Sequence, residues 1–203
     1  MTEVSEKSIE LVKNVHMQFS ASIALKQQLF EGVYFEQLVL MAEKVAAAIK
    51  KGGKLMLCGN GGSAADAQHL AAELLVRLRS DCNRESLPAI SLALDTSTLT
   101  ACGNDYGFDR IYERAVEGLG KPGDILLAIT TSGRSKNILL ALEMAQKKGI
   151  TTFGFLGGSG GPAAALCQMA FVVPSSETNR IQEVHITAGH VLMDLVEQLV
   201  VKA

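Results

Sequence analysis

Residues 54–79 read KLMLCGNGGSAADAQHLAAELLVRLR, and the order of residue types in this segment indicates the architecture. The run 54–58 is short and apolar, as buried strands are, and the segment 59–63 supplies the glycines of a tight loop. From 64 to 79 the apolar residues recur at helical spacing. The stretch therefore predicts a strand, a glycine loop and a helix, the unit from which parallel sheets are built.

The same alternation of strand and helix continues toward the C-terminus. Further strands are predicted at 89–94, 124–129, 151–156 and 170–173, and helices at 97–102, 108–119, 136–148 and 179–201. Two helices, at 5–30 and 35–51, precede the first strand. Apolar strands that alternate with helices are typical of a parallel sheet covered on both faces. We therefore expect one α/β domain, 1–203, with a flavodoxin-like three-layer core at 52–203 and a helical oligomerisation segment at 1–51.

Composition restricts the class of protein. The chain has 203 residues, 48% of them hydrophobic and 20% charged, which is enough for one packed core and excludes a mostly disordered chain. A formal net charge of -2 gives no general attraction to nucleic acid or anionic lipid. The four cysteines form no CxxC pair, and the N-terminal residues lack the apolar run of a signal sequence. We expect a cytoplasmic protein without nucleic-acid or membrane partners.

Two predicted strands end in similar polar loops. One loop contains Asn60, Gly61 and Gly62, and the other contains Thr130, Thr131, Ser132 and Ser135. At the carboxyl ends of parallel strands, glycine backbones and helix N-termini favour anions, and hydroxyl groups can donate to phosphate oxygens. Either loop alone could equally well cap a helix and turn the chain. The two together favour a phosphate ester as ligand.

Polar residues that could bind a metal or move a proton recur on the helices at 64–79 and 179–201. His69 and Glu73 are four residues apart, a spacing that suits a shared metal or a proton-transfer pair but also an ordinary surface contact. Gln182 and His190 are eight residues apart, about 12 Å along a helix, which is near the limit for two ligands of one ion. They could approach an ion from opposite sides or from different subunits. His185 is expected to be a satisfied histidine of the core or of an interface.

Four motifs in order carry a resemblance to a known family: CGNGGSAADAQHLAAELLVR, TACGNDYGF, AITTSGRS and RIQEVHITAGH. The chain resembles the sugar isomerase (SIS) family and, within it, the bacterial phosphoheptose isomerases, over essentially its whole length. The resemblance implies conversion of sedoheptulose 7-phosphate to D-glycero-D-manno-heptose 7-phosphate, a step toward ADP-heptose and lipopolysaccharide. It also implies a homotetramer with active sites at subunit interfaces and one zinc ion per subunit.

The resemblance also assigns roles to individual residues. It implies zinc ligands at His69, Glu73, Gln182 and His190, and substrate contacts at Asn60, Gly61, Gly62, Glu73, Asn104, Asp105, Thr130, Thr131, Ser132, Ser135 and Gln182. An aldose–ketose isomerase needs a base and an acid, and we expect Glu73 and His190 to supply them. Family members often have serine at the position of Thr130, and some have an acidic residue at the position of Asn179, so sugar contacts at Asn179 stay open.

Two other functions use the same fold. One is a SIS-fold scaffold that binds the replication initiator protein and promotes initiation of DNA replication without isomerase activity. Such a scaffold has no chemical need for Glu73 and His190 together with His69 and Gln182, all of which are present here. The other is a domain that senses sugar phosphates for gene regulation, which is usually joined to a DNA-binding module, and the two leading helices have no basic face. Both features favour the enzyme.

Overall fold

Five parallel strands form the central sheet of the computed structural model, which describes residues 6–93 and 95–201. The strands are β1 (Leu55–Gly59), β2 (Ala89–Ser91), β3 (Ile125–Thr130), β4 (Thr151–Gly157) and β5 (Met169–Val173). Their order is β2-β1-β3-β4-β5, with every pair of neighbours parallel. From β1 the chain adds β2 on one side of the sheet and then β3 on the other, so the strand order reverses between β1 and β3. Doubly wound sheets bind ligands at the carboxyl ends of the strands where the order reverses.

Helices cover both faces of this sheet. They are α1 (Glu6–Gln28), α2 (Tyr34–Lys50), α3 (Gly62–Leu75), α4 (Thr96–Asp105), α5 (Ile111–Leu119), α6 (Lys136–Lys147), α7 (Gly161–Leu166) and α8 (Thr178–Val201), with 3₁₀ turns at Leu29–Glu31 and Phe108–Arg110. Leu55 and Leu57 of β1 pack in one core with α2, α3 and α8. Met56 and Cys58 pack in a second core with α5 and α6. Because successive side chains of a strand point to opposite faces, a strand buried on both faces is continuously apolar. The predicted three-layer α/β fold is confirmed.

Several predicted boundaries differ from the structure. α3 ends at Leu75 rather than at 79, and the short helix α7 was not predicted because its glycine-rich start reads as a loop. β2 covers only Ala89–Ser91, and Leu94, the predicted end of that strand, lies outside the described residues, as does Ser5 of the first helix. α4 continues to Asp105, so Asn104 and Asp105 lie on the last turn of a helix.

The helix α8 is long and apolar enough to cross a membrane, judged by length and composition alone. The described structure gives it a different role. Leu192, Met193 and Val196 are fully buried against the sheet and its neighbouring helices, and Glu197 forms a buried ion pair. We therefore interpret α8 as a core helix of the domain.

Candidate active site

The helices α3 and α8 bring three titratable side chains together. Gly189 of α8 lies so close to α3 that an added Cβ would fall 2.6 Å from Leu70 Cδ1. This close approach places His190 Nε2 2.8 Å from His69 Nε2, which in turn lies 3.2 Å from Glu73 Oε1. We call His69, Glu73 and His190 the histidine–glutamate cluster.

The histidine–glutamate cluster has the donor atoms of a zinc site. One ligand atom from each of the three residues lies within 4.8 Å of the other two. Imidazole nitrogen and carboxylate oxygen are ligands that zinc prefers, and three protein ligands with an open fourth position are typical of catalytic zinc. The residues present therefore fit such an ion.

A second carboxyl group beside the histidine–glutamate cluster was missed by the sequence analysis. Asp66 is half-buried on α3, one turn before His69, and its Oδ2 has no hydrogen-bond partner among the described residues. Burial raises the pKa of Asp66, whereas the nearby His69 and His190 act to lower it. Asp66 lies three residues before His69, and this helical spacing is the sequence signal that would have predicted its place beside the cluster.

Gln182, the fourth predicted zinc ligand, lies two turns earlier on α8 than His190. Its amide packs on Gly62 at the start of α3, where an added Cβ would fall 2.7 Å from Gln182 Nε2. Eight residues of helix separate Gln182 from His190 by about 12 Å along the axis. The structure thus brings three of the four predicted ligands together and places Gln182 at the glycine loop.

A cleft of about 300 Å³ opens between the loops that follow β1 and β3. We call it the hydroxyl cleft, and its lining consists of Asn60, Gly61, Gly62, Ser63, Ile129, Thr130, Thr131, Ser132, Ser135, Thr178 and Gln182. Every predicted loop residue lines it, because parallel strands deliver their carboxyl ends to one edge of the sheet. Ser63, Ile129 and Thr178 were not predicted.

The hydroxyl groups of this cleft are still able to donate to a ligand. Ser135 is the residue before α6, yet its side chain makes no capping hydrogen bond to any residue that the structure describes. Thr130 Oγ1 accepts from the Gly133 backbone N–H and Ser132 Oγ from that of Arg134, each at 3.3 Å. A hydroxyl that accepts can still donate its own proton. Helix capping therefore does not account for Ser135.

An amide pair fixes the distance between the two loops. Asn60 and Asn137 exchange two side-chain hydrogen bonds, each 2.9 Å long, and Asn137 is buried in the first turn of α6. Gly133 also has φ of +63°, and an added Cβ would fall 1.9 Å from Gly160 O, so this loop packs directly on the one that follows β4. The walls of the hydroxyl cleft are thereby held in place.

Asn104 and Asp105 lie elsewhere within the described chain. Asn104 Nδ2 donates to Asp105 Oδ1 at 2.8 Å on the last turn of α4. Asp105 lines a different cavity of about 580 Å³, together with Thr98, Tyr106 and Arg114. One copy of the chain does not bring these two residues into the hydroxyl cleft.

Comparisons with known proteins agree with this fold. The sequence model of the SIS domain matches residues 18–157, and the chain belongs to the SIS domain family. The chain is also 51% identical over 192 residues to the phosphoheptose isomerase of Aquifex aeolicus, covering 95% of this chain and 97% of that protein. Within the SIS family it belongs to the phosphoheptose isomerases.

Solved structures support the same assignment. The phosphoheptose isomerase from Neisseria gonorrhoeae is 38% identical with a TM-score of 0.85, and the match covers 93% of this chain and 99% of that one. The enzyme from Francisella tularensis is 36% identical with a TM-score of 0.87, covering 92% and 98%. The family and the aldose–ketose isomerase activity expected from the motifs are confirmed, and these relatives are named as isomerases rather than as replication factors.

Proposed function

We propose that this chain isomerises sedoheptulose 7-phosphate to D-glycero-D-manno-heptose 7-phosphate in the synthesis of ADP-heptose precursors. The observation that carries the proposal is the separation of the hydroxyl cleft from the histidine–glutamate cluster along α3. Gly62 and His69 are seven residues apart, about 10 Å along the helix axis. An extended seven-carbon sugar spans about 10 Å from C1 to its phosphorus, at about 1.2 Å per bond. The phosphate and the carbonyl end of one such molecule therefore fit the two places together.

In the proposed mechanism the cluster moves one proton from C1 to C2 of the open-chain sugar. Glu73 takes the proton from C1 while His190 donates a proton to the carbonyl oxygen on C2, which gives an enediol. Glu73 then returns its proton to C2, and His190 accepts the proton of the hydroxyl on C1 as the aldehyde forms. Both residues end in their starting protonation states, so the enzyme is ready for another turnover.

The remaining residues of the site bind and orient the sugar. The hydroxyls of Thr130, Thr131, Ser132 and Ser135 and the loop at Gly61 and Gly62 would hold the phosphate, with Asn60 and Gln182 beside them. His69, Glu73 and His190 would hold zinc, with Gln182 as the fourth ligand that the family resemblance implies, and a bound zinc ion would supply polarisation of the carbonyl and diol oxygens. Because a glutamate or histidine bound tightly to zinc is a poor base, the ion would be held loosely and would leave Glu73 and His190 able to carry protons. Neutral donors suit this phosphate because the hydroxyl cleft has no cationic residue among the side chains that line it in the described chain.

The apolar surface of α1 supports an oligomer. Ile9, Val12, Val15, Phe19 and Ile23 are exposed in the single chain, Phe19 to 69% of its surface. An exposed apolar stripe of this kind marks a protein–protein contact. We propose a homotetramer in which residues 1–51 form the oligomerisation segment and the active sites lie at subunit interfaces. Asn104 and Asp105 would then contact substrate in the site of a neighbouring subunit.

Val12→Asp combined with Phe19→Asp is expected to dissociate the oligomer and to lower activity, because charges would face an apolar contact. Sedimentation velocity at the assay concentration measures the first effect, and the parent protein should sediment as a tetramer. Asn14→Asp, which places a charge at an exposed polar position of α1 on the face away from the apolar stripe, is the control and should remain a tetramer. A fully active parental monomer would contradict the proposed assembly.

We also propose a soluble, cytoplasmic location. The four cysteines are free in the structure, in keeping with a reducing compartment, and the ligand is a small sugar phosphate.

The proposed reaction is tested by incubating the purified protein and zinc with sedoheptulose 7-phosphate in deuterated water. We expect the aldose heptose 7-phosphate to form, with deuterium entering at C2 of the product to the extent that the proton on Glu73 exchanges with solvent. Fructose 6-phosphate, one carbon shorter, is the matched control substrate and should react much more slowly. No turnover, together with binding of the replication initiator protein, would favour the scaffold instead.

A further inference from the structure

A single buried guanidinium connects the two helices that carry the histidine–glutamate cluster. Arg84 lies between α3 and β2, and its Nε donates to Glu197 Oε2 of α8 at 2.7 Å, with both side chains 2% exposed. Its Nη2 donates to Glu73 O and its Nη1 to Leu74 O, both at 2.9 Å. Nη1 also donates to Glu85 O at 3.0 Å. One side chain therefore binds both helices and its own segment.

These contacts fix the end of α3 at which Glu73 lies. The last carbonyls of a helix have no donors within the helix, and the planar fork of arginine can bind two of them at once. Arg84 does this at the carbonyl of Glu73 itself and at the next residue. Glu197 lies seven residues after His190, two turns along the same face of α8. Arg84 therefore sets the separation between the backbone of Glu73 and the helix that carries His190.

A second arginine near Glu197, Arg79, is less able to hold the end of α3 against α8. Arg79 is 43% exposed, and its nearest atoms lie 3.6 Å from Asp194 Oδ1 and 3.9 Å from Glu197 Oε1. Glu197 Oε1 is buried without a hydrogen-bond partner among the described residues. The short, buried contact to Glu197 is thus the one that Arg84 makes.

We propose that Arg84, held by Glu197, is a positioning residue that sets the geometry of the histidine–glutamate cluster. The inference rests on the proposed function and adds to it a residue that touches neither substrate nor metal. A buried ion pair is a weak source of stability, since apolar side chains of similar volume often stabilise a fold as well or better. What an apolar pair cannot replace is the fork that holds the Glu73 carbonyl at a fixed place.

The test is the double variant Arg84→Met with Glu197→Leu, which removes both charges together and keeps the buried volume. We expect the protein to stay folded with a lowered melting temperature, because the Glu73 carbonyl loses its donor. The kcat should fall about 10–100-fold with KM unchanged, because misplacement by about 1 Å is costly in catalysis. The affinity for Zn²⁺ alone, measured by calorimetry, should fall about 10–100-fold. Arg84→Lys keeps the charge but not the fork, and should lie between parent and double variant.

Lys54→Met is the matched control for loss of a buried ion pair away from the site. Lys54 Nζ lies 2.6 Å from the buried Asp124 at the opposite ends of β1 and β3 from the hydroxyl cleft. This variant should lose stability and keep both kcat and Zn²⁺ affinity. The inference is overturned if the double variant keeps the parental kcat and Zn²⁺ affinity, if KM rises as much as kcat falls, or if Lys54→Met shows the same losses. If the parent protein binds Zn²⁺ but does not turn over the sugar phosphate, the proposed reaction is refuted and the Zn²⁺ affinity of the variants still tests Arg84. If the parent neither binds Zn²⁺ nor turns over the substrate, both the reaction and the role of Arg84 are overturned.

Discussion

Glu73→Gln is expected to lower kcat by about 10²–10⁴-fold while the protein stays folded. Glutamine keeps the shape of the side chain and can still hydrogen-bond to His69, but its amide cannot take a proton from carbon. Folding should survive because the Glu73 side chain lies at the cluster and not in either apolar core. Steady-state kinetics with sedoheptulose 7-phosphate measure the effect, and circular dichroism verifies the fold.

Ser135→Ala is the matched variant for binding without chemistry. It removes one donor to the phosphate at the far end of the substrate, a loss of about 1.5 kcal/mol, so KM should rise about tenfold with kcat unchanged. A loss of kcat in Glu73→Gln and a rise of KM alone in Ser135→Ala would separate proton transfer from phosphate binding. Parental turnover by the Glu73→Gln protein would refute the proposed mechanism, although the family assignment would stand.

The sheet and the hydroxyl cleft could be predicted because their signals are local. Each strand is a largely apolar run of three to seven residues, and each of the two loops follows its strand directly in the sequence. Parallel pairing then brings the loops to one edge without further information. His69 and Glu73 were found in the same way, because helical spacing alone puts them on one face of α3.

Contacts between distant segments could not be predicted from local pattern. The approach of His190 to His69 depends on Gly189 packing against Leu70, and a glycine in a helix does not by itself indicate which helix it faces. Asn137, which fixes Asn60, reads as an ordinary polar residue at the start of a helix. The early end of α3 has a similar origin, because Arg84, ten residues after Leu74, binds the carbonyls there.

The separation of Asn104 and Asp105 from the hydroxyl cleft shows a second limit of prediction from sequence. The family resemblance implies that they are substrate contacts, but a sequence motif does not state which copy of the chain it serves. In one chain they lie on the last turn of α4, beside another cavity. In the proposed oligomer these two residues would contact substrate in the site of a neighbouring chain, so one experiment on the assembly tests both proposals.

His185 lies in the core, as expected, but only one of its two ring nitrogens has a hydrogen-bond partner among the described residues. It is fully buried in α8, as expected of a core histidine, and its ring Nε2 lies 3.0 Å from Leu156 O, to which it donates. Its Nδ1 is buried without a hydrogen-bond partner among the described residues. Burial lowers the pKa of His185 to about 4, and the hydrogen bond to Leu156 O only partly opposes this effect. The neutral ring is therefore the form that the native core accepts.

This buried histidine should make the protein less stable in mild acid. In the unfolded chain histidine binds a proton below about pH 6.5, whereas in the native protein His185 does so only near pH 4. Between these values the unfolded state holds more protons, so the free energy of unfolding falls by about 1.4 kcal/mol for each unit that the pH falls. Urea unfolding at fixed protein concentration should therefore show a loss of about 2 kcal/mol from His185 between about pH 7 and pH 5. His185→Gln can still donate to Leu156 O but does not titrate, and its loss over this range should be smaller than the parent's by that amount. Equal losses in parent and variant would mean that another group causes the acid sensitivity, because every other titrating residue is common to the two proteins.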